Sequence, residues 1–194
     1  MPILNDLNPE QQEAVLQKSG PILIIAGAGS GKTKTIAHRI AHLIAEGTPA
    51  DKILAVTFTN KAAGEMKERV ISLLQKENIH VPEGRMPFVG TFHALGVNML
   101  RAHGSAIGVP KHFSILDEED TRTIMRDLIG EFELDPDQYQ PQRIRATISG
   151  LKNELVDASE FAREPDSGPY QKNLRLLYAA YEARLQKIRG LDFD

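Results

Sequence analysis

The chain has 194 residues, 23 Lys/Arg against 26 Asp/Glu for a formal net charge of −3, 41% hydrophobic residues, 25% charged residues and no cysteine. These fractions exclude a disordered tail, a collagen or a coiled coil, and the missing cysteine excludes disulfide scaffolds, thiol catalysis and thiolate metal sites. Residues 1–116 hold 12 Lys/Arg, 9 Asp/Glu and all 6 His, and residues 117–194 hold 11 and 17, so nucleic-acid binding cannot be read from bulk charge and would rest on a few placed groups.

Asn8-Pro9 opens a first helix, Asn as cap and Pro in the first turn, which Ser19-Gly20-Pro21 stops. Ile22 to Ile25 is a continuous apolar run bounded by turn residues, the pattern of a strand buried on both faces. A glycine-rich turn follows, then a helix from about Lys32 to Glu46. Ile53 to Val56 predicts a second buried strand. Asn60 is expected to cap the next helix, where Ala63, Met66, Val70 and Leu74 keep helical spacing. Phe88-Val89 lies in a third short strand, and Phe92 to about His103 reads as helix. Strand alternating with helix implies an α/β unit with a parallel sheet.

After about residue 94 the pattern becomes helical. Asp117, Asp157 and Asp135 are expected as helix caps, with Asp120 and Glu160 completing capping boxes. The last helix, about Tyr170 to Arg189, carries Leu174, Leu177, Tyr178, Tyr181 and Leu185 on one face. The most apolar stretch, Ile22 to Ala28, is far below the ~20 residues that span a bilayer, and no signal peptide is visible. The expectation is a soluble, cytoplasmic protein with no membrane partner.

Ala26-Gly27-Ala28-Gly29-Ser30-Gly31-Lys32-Thr33 lies between the first strand and its helix, the context that makes a phosphate-binding loop informative. Glycines let successive backbone N–H groups wrap an anion, and the helix N-terminus adds its positive dipole end. Lys32 would reach the β- and γ-phosphates, and the Thr33 hydroxyl would ligate Mg²⁺. Ala26 stands where the G-x-x-x-x-G-K-[ST] pattern has its first Gly, which is tolerable at negative φ. ATP is the nucleotide this implies.

Together with three further motifs, the loop resembles the UvrD/PcrA/Rep family of superfamily 1 DNA helicases. Leu7-Asn8-Pro9-Glu10-Gln11 resembles the family's Q motif, and the Gln11 amide can both donate to and accept from an adenine edge. Thr57-Phe58-Thr59-Asn60-Lys61-Ala62-Ala63 with Met66 and Arg69 matches the next motif, and Gly90-Thr91-Phe92-His93 the one after. The resemblance implies that Lys34 and Arg69 lie near the nucleotide. It also implies that Phe58, Thr59, Asn60, Thr91, Phe92 and His93 form a single-stranded DNA track, Phe58 stacking on a base. Such a track fits the carboxyl ends of parallel strands, where open sheets hold ligands.

The implied architecture is α/β: a RecA-like P-loop motor domain with an incomplete parallel sheet, plus an all-helical insertion subdomain. Residues 1–93 would be motor domain, 94–190 insertion, and 191–194 the return into the motor domain. Ile148 to Asn153 resembles a family sequence of the insertion, where Lys152 is a candidate DNA-backbone contact or a plain surface lysine. The implied activity is ATP-dependent 3′–5′ unwinding, on single-stranded DNA and single-strand/duplex junctions, in DNA repair or related processes.

Two patterns imitate other chemistry. Phe113 to Glu118 looks like a Walker B strand ending in Asp-Glu, but the run is short, broken by Ser114 and leads straight into an amphipathic helix, whose first turn favours acids. His38 and His42 have the spacing of paired metal ligands, without a recognisable third. The resemblance places the true Asp-Glu pair and a second motor domain beyond Asp194, so residues 1–194 alone are expected to bind nucleotide weakly and not to unwind. The alternatives are a helicase-nuclease subunit of the RecB/AddA type, a self-contained P-loop NTPase, and a non-catalytic binding module.

Overall fold

The computed structural model describes residues 2–165 and 168–194. The chain divides into two compact units, Met1–Asn98 and Met99–Asp194. The first contains a 3-10 turn at Pro2–Leu4 and helices α1 (Pro9–Leu16), α2 (Lys32–Ala45) and α3 (Asn60–Lys76). It also holds strands β1 (Leu54–Thr57) and β2 (Phe88–Thr91) and the start of α4 (Phe92–His103).

β1 and β2 pair in parallel, with Leu54 against Phe88 and Thr57 against Thr91. The crossover runs through α3, whose Met66, Val70, Leu73 and Leu74 pack with Ala37, Ile40, Ala41 and Ile44 of α2 and with Ala55 of β1. Each fully buried aliphatic chain in such a cluster contributes about 1.5–3 kcal/mol by removal from water. This is a mixed α/β unit with a small parallel sheet.

The polar face of α2 holds the preceding chain by its carbonyls. Arg39 donates to Ala14 O at 2.8 Å and to Gln17 O, at the carboxyl end of α1. A cation there meets the unpaired carbonyls and the negative end of the helix dipole. Lys34 donates to Asp6 O, and the buried His38 ring shares a hydrogen bond of 2.5 Å with Ile3 O. These bonds, with buried Ile3 and Leu7, fix the entry of the chain onto α2.

The second unit holds β3 (Ser114–Ile115), α5 (Glu118–Glu131), α6 (Pro141–Asn153), α7 (Ala158–Phe161), α8 (Pro169–Ile188) and β4 (Gly190–Leu191). Its core joins Met125, Leu128 and Ile129 of α5, Ile144 and Ile148 of α6, and Leu174, Leu177, Tyr178, Tyr181 and Leu185 of α8. It is mainly rather than wholly helical, because β3 and β4 pair in parallel over two residues.

Several expectations are corrected. Ile22–Ile25 forms no strand: Leu23 is 83% and Ile25 89% exposed. No ladder among the described residues includes this run, so its backbone lacks the hydrogen bonds that would make it extended sheet. The α3 cap is Thr59, whose hydroxyl accepts from Ala62 N, with Asn60 the first helical residue. Asp135 closes a turn through Asp137 N and starts no helix, and α6 begins one residue after Gln140 with Pro141. Asp117 and Asp157 do cap α5 and α7, each in a reciprocal box with Asp120 or Glu160.

Lys152 is neither a free surface lysine nor presented for a DNA backbone. Its ammonium pairs with Asp192 Oδ2 at 2.7 Å and Glu182 Oε1 at 2.8 Å, above the Tyr181 ring. Tyr181 donates its hydroxyl to the same Asp192 oxygen at 2.9 Å. Burial alone would lower the Lys152 pKa, but the two carboxylates outweigh it and hold the pKa above its usual value. Removing the cation would leave a largely buried Asp192 unpaired, so Lys152→Ala is expected to lower stability by about 3 kcal/mol. Chemical denaturation of parent and variant checks this, and a change under about 1 kcal/mol would mean the pair is in effect solvated.

Candidate functional site

The glycine-rich loop lies directly before α2. Gly29 (φ 76°) and Gly31 (φ 87°) occupy the left-handed region, where a side chain would strain the backbone, whereas Ala26 has no positive φ. Gly31 is the cap of α2 and has no side chain with which to close its first-turn amides. The first helical bond of α2 to reach back runs from Thr35 N to Gly31 O, at 2.9 Å. An anion is the natural partner for the donors ahead of it.

Lys32 folds back over the loop, its ammonium donating to Ala26 O at 2.7 Å and Gly27 O at 2.6 Å. Ser30 donates its hydroxyl to Gly27 O at 2.7 Å, which closes the turn. Thr33 is half-buried in the first turn of α2. Gln11 reaches the loop from α1 and donates to Ser30 O at 3.0 Å. Among the described residues no cluster of three or more His, Cys, Asp or Glu is disposed to hold a metal ion.

Lys34 and Arg69 come together in one polar cleft of about 640 Å³ with Asp6, His38, Glu65 and Glu68. Sequence reading did not find His38 as part of this cleft; its helical spacing from Lys34 was the available signal. His42, one turn further on, is buried in α2 and makes no hydrogen bond to the described residues. The two histidines are thus packed groups of a helix and not a metal pair.

The strand register builds a second feature. Because Thr57 lies beside Thr91, the residues that follow each strand, Phe58 and Phe92, emerge side by side. Their ring centroids are 5.6 Å apart, with Phe58 92% and Phe92 52% exposed. Two aromatic faces left in water at the ends of paired strands are costly unless something stacks on them. The hydroxyl oxygen of buried Thr91 accepts from Ala94 N and that of exposed Thr59 from Ala62 N, so each threonine closes the first turn of the helix that follows it. Asn60 and His93 are exposed beside them, at the N-termini of α3 and α4.

Asp117 and Glu118 are engaged elsewhere. Asp117 caps α5 through Asp120 N at 2.9 Å, and Glu118 pairs with Arg145 at 3.5 Å.

Residues 7–194 match the family described as the UvrD/REP helicase N-terminal domain. The chain belongs to this family. It is 45% identical over 193 residues to the ATP-dependent DNA helicase PcrA of Bacillus subtilis, covering 99% of the chain and 25% of that relative. PcrA of Leuconostoc citreum is 43% identical with the same coverage, and the ATP-dependent DNA helicase UvrD1 of Mycobacterium leprae 41% over 196 residues, again 99% and 25%. The chain thus spans about a quarter of the length of these curated relatives. Among the described residues, no helix of this family member is long and apolar enough to cross a membrane.

Burial pushes the His38 imidazole below its usual pKa; Lys34 and Arg69 act in the same direction, against Asp6 and the bond to Ile3. The unfolded chain therefore takes up this proton first as the pH falls. The stabilising contribution is whole above the unfolded value of ~6.5 and is lost as pH drops from there through the folded value. Denaturant melts at about pH 7.5 and about pH 5.5 are expected to show a loss that is smaller in His38→Gln. An equal loss in both chains would remove His38 from this linkage.

Proposed function

We propose that this chain is the ATP-binding and DNA-contacting part of a 3′–5′ DNA helicase, with residues 1–93 in a RecA-like motor domain. Residues 94–190 would be its helical insertion and 191–194 the return. The observation that carries this reading is a glycine-rich loop running into an α2 N-terminus without a side-chain cap, in the same unit as an exposed aromatic pair at the ends of paired parallel strands. The names of the relatives, ATP-dependent DNA helicases, agree with it.

In this reading Lys32 exchanges the carbonyls of Ala26 and Gly27 for phosphate oxygens, joined by the backbone N–H groups of residues 27–33. The geometry fits: the ammonium already sits in the loop, and the first-turn amides have no side-chain cap. Thr33 would hold Mg²⁺, which when bound would supply positive charge against the phosphates. Lys34 and Arg69 would meet the nucleotide from their shared cleft. Phe58, with Phe92 beside it, would stack on bases of single-stranded DNA, while Thr59, Asn60, Thr91 and His93 hold sugar or phosphate at two helix N-termini. A strand arriving from a single-strand/duplex junction is the substrate this track suits. A soluble, cytoplasmic protein acting in DNA repair accords with it.

Asp117 and Glu118, held by a helix start and by Arg145, do not support a self-contained NTPase that uses this pair. Water activation would fall to a different acidic pair, and charge stabilisation to a second motor domain.

Lys32→Ala is expected to weaken ATP binding about 10- to 100-fold, the worth of a charge-assisted contact to phosphate. Titration with a fluorescent ATP analogue measures it, and unaltered affinity would sink the loop assignment. Hydrolysis by the parent chain should not exceed that of Lys32→Ala; Lys32-dependent turnover would mean that an acidic pair within residues 1–194 completes the site. Phe58→Ala should weaken single-stranded DNA binding by about 1–3 kcal/mol. Fluorescence anisotropy with a labelled oligonucleotide reads this, and an unchanged Kd would return Phe58 to a packing role.

A further inference from the structure

Both ends of the Gln11 amide make a bond to the backbone of the first unit. Its Oε1 accepts from Asn8 N at 3.1 Å, half of the capping box of α1, and its Nε2 donates to Ser30 O at 3.0 Å. The second bond spans 19 residues and ties one helix start to the middle of the phosphate loop.

The Ser30–Gly31 peptide is trans, so the Ser30 carbonyl and the Gly31 N–H point in opposite directions. Holding the carbonyl toward Gln11 therefore aims the Gly31 N–H away from α1. Rotating this peptide changes ψ of residue 30 and φ of residue 31, and residue 31 is glycine at φ 87°, for which either sign of φ is open. The peptide that Gln11 grips is thus one that its glycine allows to flip. Contact is close enough that a Cβ on Gly31 would lie 2.9 Å from Gln11 Nε2, so the glycine also makes room for the glutamine.

We propose that Gln11 is a positioning residue of the phosphate loop: its bond to the Ser30 carbonyl sets the orientation of the Ser30–Gly31 peptide, and so the phosphate affinity of ligands that carry no base. This rests on the loop being the nucleotide site. The amide NH2 carries two N–H groups, so the bond to Ser30 O uses one and leaves the other for a base.

Inorganic tripolyphosphate, which has no base to read, separates the two roles. Its affinity and that of ATP are measured by calorimetry for the parent chain, Gln11→Ala, Asn8→Ala and Lys32→Ala. Asn8→Ala also breaks the capping box but leaves the Ser30 bond. The expected result is that Gln11→Ala weakens tripolyphosphate by about three- to tenfold, the range for one net hydrogen bond, while Asn8→Ala changes it less than about twofold. A Gln11→Ala loss confined to ATP, or an equal loss in Asn8→Ala, would overturn the proposal. If Lys32→Ala binds tripolyphosphate as the parent does, the phosphate-loop reading itself fails.

A ligand-free readout stands beside this one. The Gly31 amide resonance in ¹H–¹⁵N spectra should be shifted or exchange-broadened in Gln11→Ala and undisturbed in Asn8→Ala. A Gly31 signal indifferent to Gln11→Ala would overturn the proposal without any ligand present.

Discussion

Helix α2 is the part to which the rest of the first unit is referred, and its polar face shows why. Lys34 and, one turn on, the adjacent His38 and Arg39 each bond backbone carbonyls of the preceding chain: Asp6, Ile3 and the end of α1. Buried or half-buried carbonyls demand partners, and long cationic side chains can supply them from one rigid element. That attachment delivers Gln11 to Ser30 and lets Asp6 border the cleft of Lys34 and Arg69. The apolar face of the same helix packs on α3, which carries the crossover between β1 and β2. The glycine-rich loop and the aromatic pair are therefore positioned by opposite faces of one helix.

How legible this was in the sequence depends on the range of the forces involved. Local rules performed well: Asn8-Pro9, Asp117 and Asp157 begin helices as their side-chain chemistry dictates, and the apolar face of α8 is buried residue for residue. Asn60 and Asp135 show the limit, since each is a plausible cap beside a better-placed start at Thr59 or Pro141. Ile22 to Ile25 failed for a different reason. A strand is a relation between two segments, and apolar side chains alone cannot supply the ladder partner. Lys152 failed similarly: Asp192 and Glu182 lie 40 and 30 positions away, with nothing in the local sequence to pair them.

At the candidate site, motifs named the residue types but not their engagements. The four elements of the resemblance gave Gln11, Lys32, Phe58 and Phe92 as a list. The parallel register brings the two rings to 5.6 Å, and folding back of Lys32 onto Ala26 and Gly27 shows what a phosphate would have to displace. No spacing rule contains either fact. The spacing did contain His38, four residues after Lys34 on a helix, but burial in the cleft wall appears only in three dimensions.

The weak overall charge becomes intelligible in this light. Of the basic residues in the first unit, Lys18 pairs with Glu46, while Lys32, Lys34 and Arg39 are turned onto carbonyls. With 10 Lys/Arg against 9 Asp/Glu in residues 1–98, the unit carries little sequence-independent basic field, the term that dominates ordinary DNA association. Two flat rings and two helix N-termini at the carboxyl ends of β1 and β2 instead offer stacking and oriented N–H groups, which act at contact distance and would cost little for a strand that moved by one base. Under the proposed function, a surface that binds and releases a strand repeatedly would be better served by such short-range contacts than by a deep electrostatic trap. Every base has a π-face, so the grip carries over from one base to the next.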